Sequence, residues 1–66
     1  MNPKNIGKKL RTLRGSRNIS EVAEVVGVVP SAISMYEAGE RIPRDNVKVK
    51  LAHYYGVSVE SIFFAD

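Results

Sequence analysis

Ile19-Ser20-Glu21-Val22-Ala23-Glu24-Val25-Val26-Gly27-Val28-Val29-Pro30-Ser31-Ala32-Ile33-Ser34-Met35-Tyr36-Glu37-Ala38-Gly39 is the stretch that decides the fold. Asn18 before it, with Glu21 three residues on, reads as an N-cap with a capping-box partner, and Val22, Ala23 and Val26 then recur at helical spacing. Gly27 tolerates the positive φ that a tight turn requires, so this helix ends there. After Gly27-Val28-Val29, Pro30 suits the first turn of another helix, because its missing N–H would be unpaired there anyway. Ala32, Ile33 and Tyr36 line the inner side of that helix until Gly39 stops it. The expectation is two short helices crossing steeply through a three-residue turn. Ala23 is small where they must approach, and Val22, Val26, Val28, Ile33 and Tyr36 fill the wedge between them.

Working outward, Ile6, Leu10 and Leu13 share one helical stripe and predict a helix that ends near Arg14-Gly15. On the other side, Glu40-Arg41-Ile42-Pro43-Arg44 has no period and holds a helix-breaking proline, so it reads as an exposed loop carrying two arginines. Asp45 is expected to cap a fourth helix, with Val47, Leu51 and Tyr54 or Tyr55 as its apolar stripe and Gly56 as its C-terminal stop. Ser58 caps a fifth, with Val57 and Ile62 spaced as a hydrophobic staple. The predicted fold is all-α: residues 1–66 form a single domain, a compact bundle of five short helices with tight connections.

With 66 residues there is room for one core, and so small a core leaves stability marginal unless the chain dimerises. A 44% hydrophobic and 26% charged composition is that of a soluble globular protein, and no apolar run approaches membrane-crossing length. There is no cysteine, which removes disulfides and thiolate metal sites, and Met1-Asn2-Pro3-Lys4 does not open a signal peptide; the expected compartment is the cytoplasm. The net charge of +3 is unevenly spread. Six cations (Lys4, Lys8, Lys9, Arg11, Arg14, Arg17) and no acid lie between Met1 and Arg17, and four acids and no cation between Asn18 and Glu40. Arg41, Arg44, Lys48 and Lys50 then face one acid. Two basic flanks around an acidic middle suit a polyanion that touches both. Nothing points to catalysis: the serines form no nucleophile motif, and His53 lacks neighbouring groups that would make it a metal ligand or general base. No cofactor is implied. Tyr54, Tyr55, Phe63 and Phe64, near the chain end at helical spacing, read as core plus a dimer surface rather than a base-stacking platform.

Ala23-Glu24-Val25-Val26-Gly27-Val28, Ser31 to Gly39, Arg41-Ile42-Pro43 and the later run Leu51 to Phe63 together resemble the helix-turn-helix signature of the phage-repressor (Cro/C1, or XRE) family, over about Ile6 to Phe63. The resemblance implies a lambda-repressor-like, non-enzymatic regulator of transcription, a repressor in the first reading. It would bind double-stranded DNA with its third helix in the major groove, as a homodimer joined through the fifth helix and the C-terminal aromatics. It also implies that Ser31, Ala32 and Met35 face the groove, with Val29, Pro30 and Ser34 beside them. Arg41, Arg44 and Arg17 are implied as backbone cations, and Arg14 and Glu37 as a structural pair bridging the first helix to the third. The chain departs from the family at Ile19, where a glutamine is usual, at Val29, where a serine or threonine caps the helix, and at the apolar Pro30 and Met35. These leave Ser31 and Ser34 as the short polar groups available for base edges, with contact to thymine methyls in place of further hydrogen bonds. The alternative is a protein-interaction module, an antitoxin-like co-regulator that keeps the fold and addresses a regulatory protein through the apolar surface around Val29 and Met35.

Overall fold

The computed structural model describes residues 1–65, among which five helices are the only regular elements: α1 (Pro3–Arg14), α2 (Ile19–Val26), α3 (Pro30–Ala38), α4 (Asp45–Tyr55) and α5 (Val59–Phe63). The all-α expectation holds, and the starts and stops follow from local chemistry. Asn2 accepts from the Lys4 and Asn5 N–H groups and Pro3 occupies the first turn, so α1 begins well before its apolar stripe. Gly27, Gly39 and Gly56 end α2, α3 and α4 in the left-handed region, which a Cβ disfavours. Ser58 Oγ accepts from Ser61 N at 3.1 Å, and Ser61 Oγ donates back to the Ser58 carbonyl at 2.7 Å.

Two of the expected caps are different. Asn18 Oδ1 accepts from Ser20 N at 2.7 Å, and Glu21 turns away to receive the Tyr54 hydroxyl at 3.5 Å, so no reciprocal capping box closes. At α4 the cap position falls on Arg44, whose side chain makes no capping bond, and Asp45 is already inside the first turn. There its carboxylate favours the positive end of the helix.

The core gathers Ile6 and Leu10 from α1, Val22, Ala23 and Val26 from α2, Ile33 and Tyr36 from α3, Val47, Leu51 and Ala52 from α4, and Ile62 and Phe63 from α5. Phe63, Leu51, Ile62, Val22 and Val26 have almost no exposed surface, and burial of each such side chain is worth about 1.5–3 kcal/mol. Pro43 is buried too, so the α3–α4 loop is pinned in its middle while Arg41 and Arg44 on either side stay exposed.

One residue sets how α1 meets α3. Gly7 is buried, and a Cβ placed on it would stand 2.3 Å from the Glu37 carbonyl oxygen and 2.8 Å from that of Tyr36. Only a residue without a side chain lets the two backbones come this close. The approach fixes the C-terminal half of α3 against α1.

Candidate nucleic-acid interface

α2 and α3 are separated by a short break and differ in direction by 106°. The turn is held from inside: the N–H groups of Gly27 and Val28 both donate to the Ala23 carbonyl, at 2.9 and 3.0 Å, and Gly27 takes φ 78°. Val29 occupies the cap position of α3 without a side-chain bond, as expected of a valine there. This crossing angle lies in the range by which a helix pair offers its second member to a partner while the first braces it.

The outward face of α3 can be read residue by residue. Pro30, Ser31 and Ser34 are exposed, Val29 retains 63% of its surface and Met35 39%. Ala32 does not belong with them. At 5% exposure it sits with Ile33 and Tyr36 on the inner side, and of its two expected placements the core-facing one is correct. Residues 31 and 35 are one helical turn apart and 32 lies about 100° away from 31, which here is enough to carry it under the surface.

Beside this face runs a cleft between the turn and the α3–α4 loop. Val29, Ala32 and Tyr36 form part of its wall, and Arg41, Arg44 and Asn46 contribute polar groups to its rim. Asn46 was not among the sequence-derived site residues; its position just inside α4 gave no signal until the loop was folded back. Arg17 lies elsewhere. Its guanidinium donates to the Leu13 carbonyl at 2.7 Å and rests 5.6 Å from the ring centres of both Tyr54 and Tyr55, and it does not line the cleft.

α3 is anchored from below by Arg14 and Glu37. Arg14 Nε donates to Glu37 Oε2 at 2.7 Å and Nη2 to Oε1 at 3.0 Å, a two-pronged pair with side-chain exposures of 16% and 8%. Arg14 Nη1 also donates to the Arg17 carbonyl at 3.0 Å, so one guanidinium ties α1, the α1–α2 turn and α3 together. The bond to Glu37 holds the Arg14 guanidinium above its ordinary pKa. Because Glu37 turns inward, the exposed face of α3 presents no carboxylate to a polyanion. Glu37→Gln keeps the shape and removes the charge, leaving a mostly covered guanidinium without its ion partner. Equilibrium urea unfolding is expected to show a loss of about 1–3 kcal/mol, and an unchanged midpoint would mean that the pair adds nothing to the anchoring.

Tyr55 reports on the same region. Burial, helped by the nearby Glu37 charge, pushes its phenol up to about 12 from the ordinary value of 10.0. A phenol harder to ionise in the folded than in the unfolded chain gives its full stabilisation below pH 10 and loses it as pH rises toward 12. Thermal unfolding is expected to become easier across that window, and Tyr55→Phe should flatten the decline. Parallel curves for the two proteins would contradict it.

Lys48 departs from the expected basic segment. It is 8% exposed, pairs with Asp45 at 3.4 Å, and places its ammonium 5.8 and 5.5 Å from the rings of Phe63 and Phe64. It is a packing cation and does not face a ligand. The two phenylalanines also part company: Phe63 is core at 1% exposure, while Phe64 keeps 58%. His53 is exposed on α4, and among the described residues no cluster of histidine and carboxylate side chains is gathered that would hold a metal ion. No helix among the described residues is by itself long and apolar enough to cross a membrane.

Two crystal structures of the clp gene regulator ClgR from Corynebacterium glutamicum superpose on this chain with TM-scores of 0.85 and 0.80, each at 24% identity. Each superposition covers 97% of this chain, and 70% and 86% of the respective ClgR chains. At that identity the likeness establishes the shared fold. No curated protein matches the chain by sequence. The helix-turn-helix family model matches residues 8–62, from the middle of α1 to Ile62 in α5, and it takes in the 106° helix pair, the left-handed glycine of its turn and the pinned loop after α3. By that match the chain belongs to the helix-turn-helix family of the Cro/C1 (XRE) type.

Proposed function

We propose that residues 1–66 act as one unit, a transcription regulator that binds double-stranded DNA sequence-specifically with α3 in the major groove, as a homodimer on a two-fold site and with repression as its outcome. The observation that carries this reading is the exposed face of α3, free of carboxylates and flanked on its cleft side by Arg41 and Arg44. In this reading Arg41 and Arg44, together with Arg17 at the α1–α2 turn, hold phosphates and fix the register. Ser31 and Ser34 hydrogen-bond base edges, while Val29, Pro30 and Met35 meet thymine methyl groups. Ala32 serves from beneath as a small residue that keeps the helix low on the core. The Arg14–Glu37 pair holds α3 at its angle. The role needs no catalysis and no cofactor, and it is exercised in the cytoplasm, where the DNA is.

Dimerisation is assigned to α5. Phe64 is the exposed aromatic there, and an apolar groove lined by Leu13, Val57 and Ile62 with the stems of Lys8 and Lys9 runs between α1 and α5. Two copies related by a two-fold axis would bury these surfaces and present two α3 helices on one side.

The test is selection of bound duplexes from a random library at low and at near-physiological salt, with Arg44→Ala as control. A recovered palindrome, weakened by salt and by the substitution, supports the reading and gives the half-site spacing. Absence of enrichment sinks it. A second reading has its own observation: Val29 and Met35 leave apolar surface open on α3. It makes α3 the contact for a regulatory protein, as in an antitoxin-like co-regulator. Under it Met35→Asp abolishes binding to that partner, and salt has little effect.

A further inference from the structure

The exposed large apolar residues among those described fall into groups. Met1 stands at the start of the sequence, Val29 and Met35 belong to the α3 face and Phe64 follows α5, these last two groups already assigned, but Val25 and Val49 belong to none of these. Each is 57% exposed, one on α2 and one on α4, and they line the same shallow groove with Tyr54 and the stem of Lys50. We infer that this α2–α4 face is a second self-association surface, which takes the same face of another copy of this chain.

The choice of occupant follows from the charges on the two walls. The α2 wall carries Glu21 and Glu24, both exposed, with no cation anywhere on that helix. The α4 wall carries the cation Lys50, which reaches across to stand beside Gly27 at the end of α2. A two-fold axis through the groove sets the acidic wall of each copy against the basic wall of the other and closes valine on valine between them. A uniformly charged partner would meet one wall favourably and the other unfavourably. A copy of the same chain meets both favourably.

The footprint limits the strength. α2 spans 8 residues and α4 11, roughly 12 and 16 Å of helix, so the face offers well under the roughly 800 Å² per partner of a stable interface. In free solution the association is therefore weak. It becomes populated where copies are held close together, as by a shared ligand. The inference does not rest on the operator-binding reading and is tested without DNA.

The experiment is a dilution series of amide and valine-methyl NMR spectra on the full chain, run in a Phe64→Asp background so that the α5 contact does not contribute. Concentration-dependent shifts centred on Val25, Val49 and Tyr54 are expected, and Val25→Asp, at an exposed position that leaves the fold intact, should weaken the association at least tenfold. Glu24→Lys alone and Lys50→Glu alone should each weaken it, and the two together should restore it, since exchanging the walls keeps them complementary. Spectra that superimpose at all concentrations, shifts centred elsewhere, or a double variant no better than the single ones would overturn the assignment.

Discussion

Gly7→Ala is expected to lower the unfolding free energy by about 2–3 kcal/mol, against the usual direction for a glycine inside a helix. Alanine at an unconstrained interior position would gain up to about 1 kcal/mol of helix propensity. Here the added methyl would meet the Glu37 carbonyl oxygen at 2.3 Å and its carbonyl carbon at 2.8 Å. Both are backbone atoms, so no rotamer change relieves the clash and α1 must move off α3. The same displacement pulls on Gly39, where the α1 backbone at Lys4 already stands 3.0 Å from a would-be Cβ, and on the Arg14–Glu37 bridge. For a domain of this size each kcal/mol moves the melting midpoint by about 4–8 °C, so a fall of more than about 10 °C is expected by circular dichroism. Lys8→Ala, next door and exposed, should change it little. A Gly7→Ala protein as stable as the parent would show that α1 and α3 do not approach this closely in solution.

Arg41→Ala with Arg44→Ala is expected to weaken DNA binding by about 10–100-fold at low salt and to reduce the slope of log affinity against log salt by about 2, one for each phosphate contact removed. Both side chains are exposed, so folding should be nearly unaffected, and a loss of binding can be assigned to the contact itself. Ser31→Ala and Met35→Ala should behave differently, changing which duplexes are preferred while leaving the salt slope as it was. Fluorescence anisotropy on a selected duplex across a salt series separates the two patterns. A double arginine variant with an unchanged slope would remove the loop from the interface. Combined with sensitivity to Met35→Asp, it would favour the protein-partner reading.

Why the site was only partly legible is clear from individual residues. Ser31, Ser34, Val29, Pro30 and Met35 were singled out through the resemblance, and the structure leaves all five exposed. Ala32 lies at the edge of the outward arc, where the period allows either side, and only packing against Ile33 and Tyr36 decided it. Lys48 counted as a free cation in sequence because nothing local pairs it except Asp45. Its burial comes from α5, which brings Phe63 and Phe64 over it. A signal for Gly7 did exist: a glycine within an apolar helical stripe costs about 1 kcal/mol and calls for a close approach, though it does not say by what.

The sequence by itself determined the number of helices, the glycine stops, Pro30 at the head of α3 and the three-residue turn, because each depends on φ preference or hydrogen bonding within a few residues. The Arg14–Glu37 pair was legible through resemblance alone, since its partners lie on different helices and spacing carries no information about them. The tertiary structure decided which face of each boundary residue is buried, which cations stay free for a ligand, and that Phe63 and Phe64, adjacent in the chain, serve the core and the surface. Those outcomes depend on helices far apart in sequence, and the sum of their packing, rather than any local preference, selects among placements that the helical period leaves open.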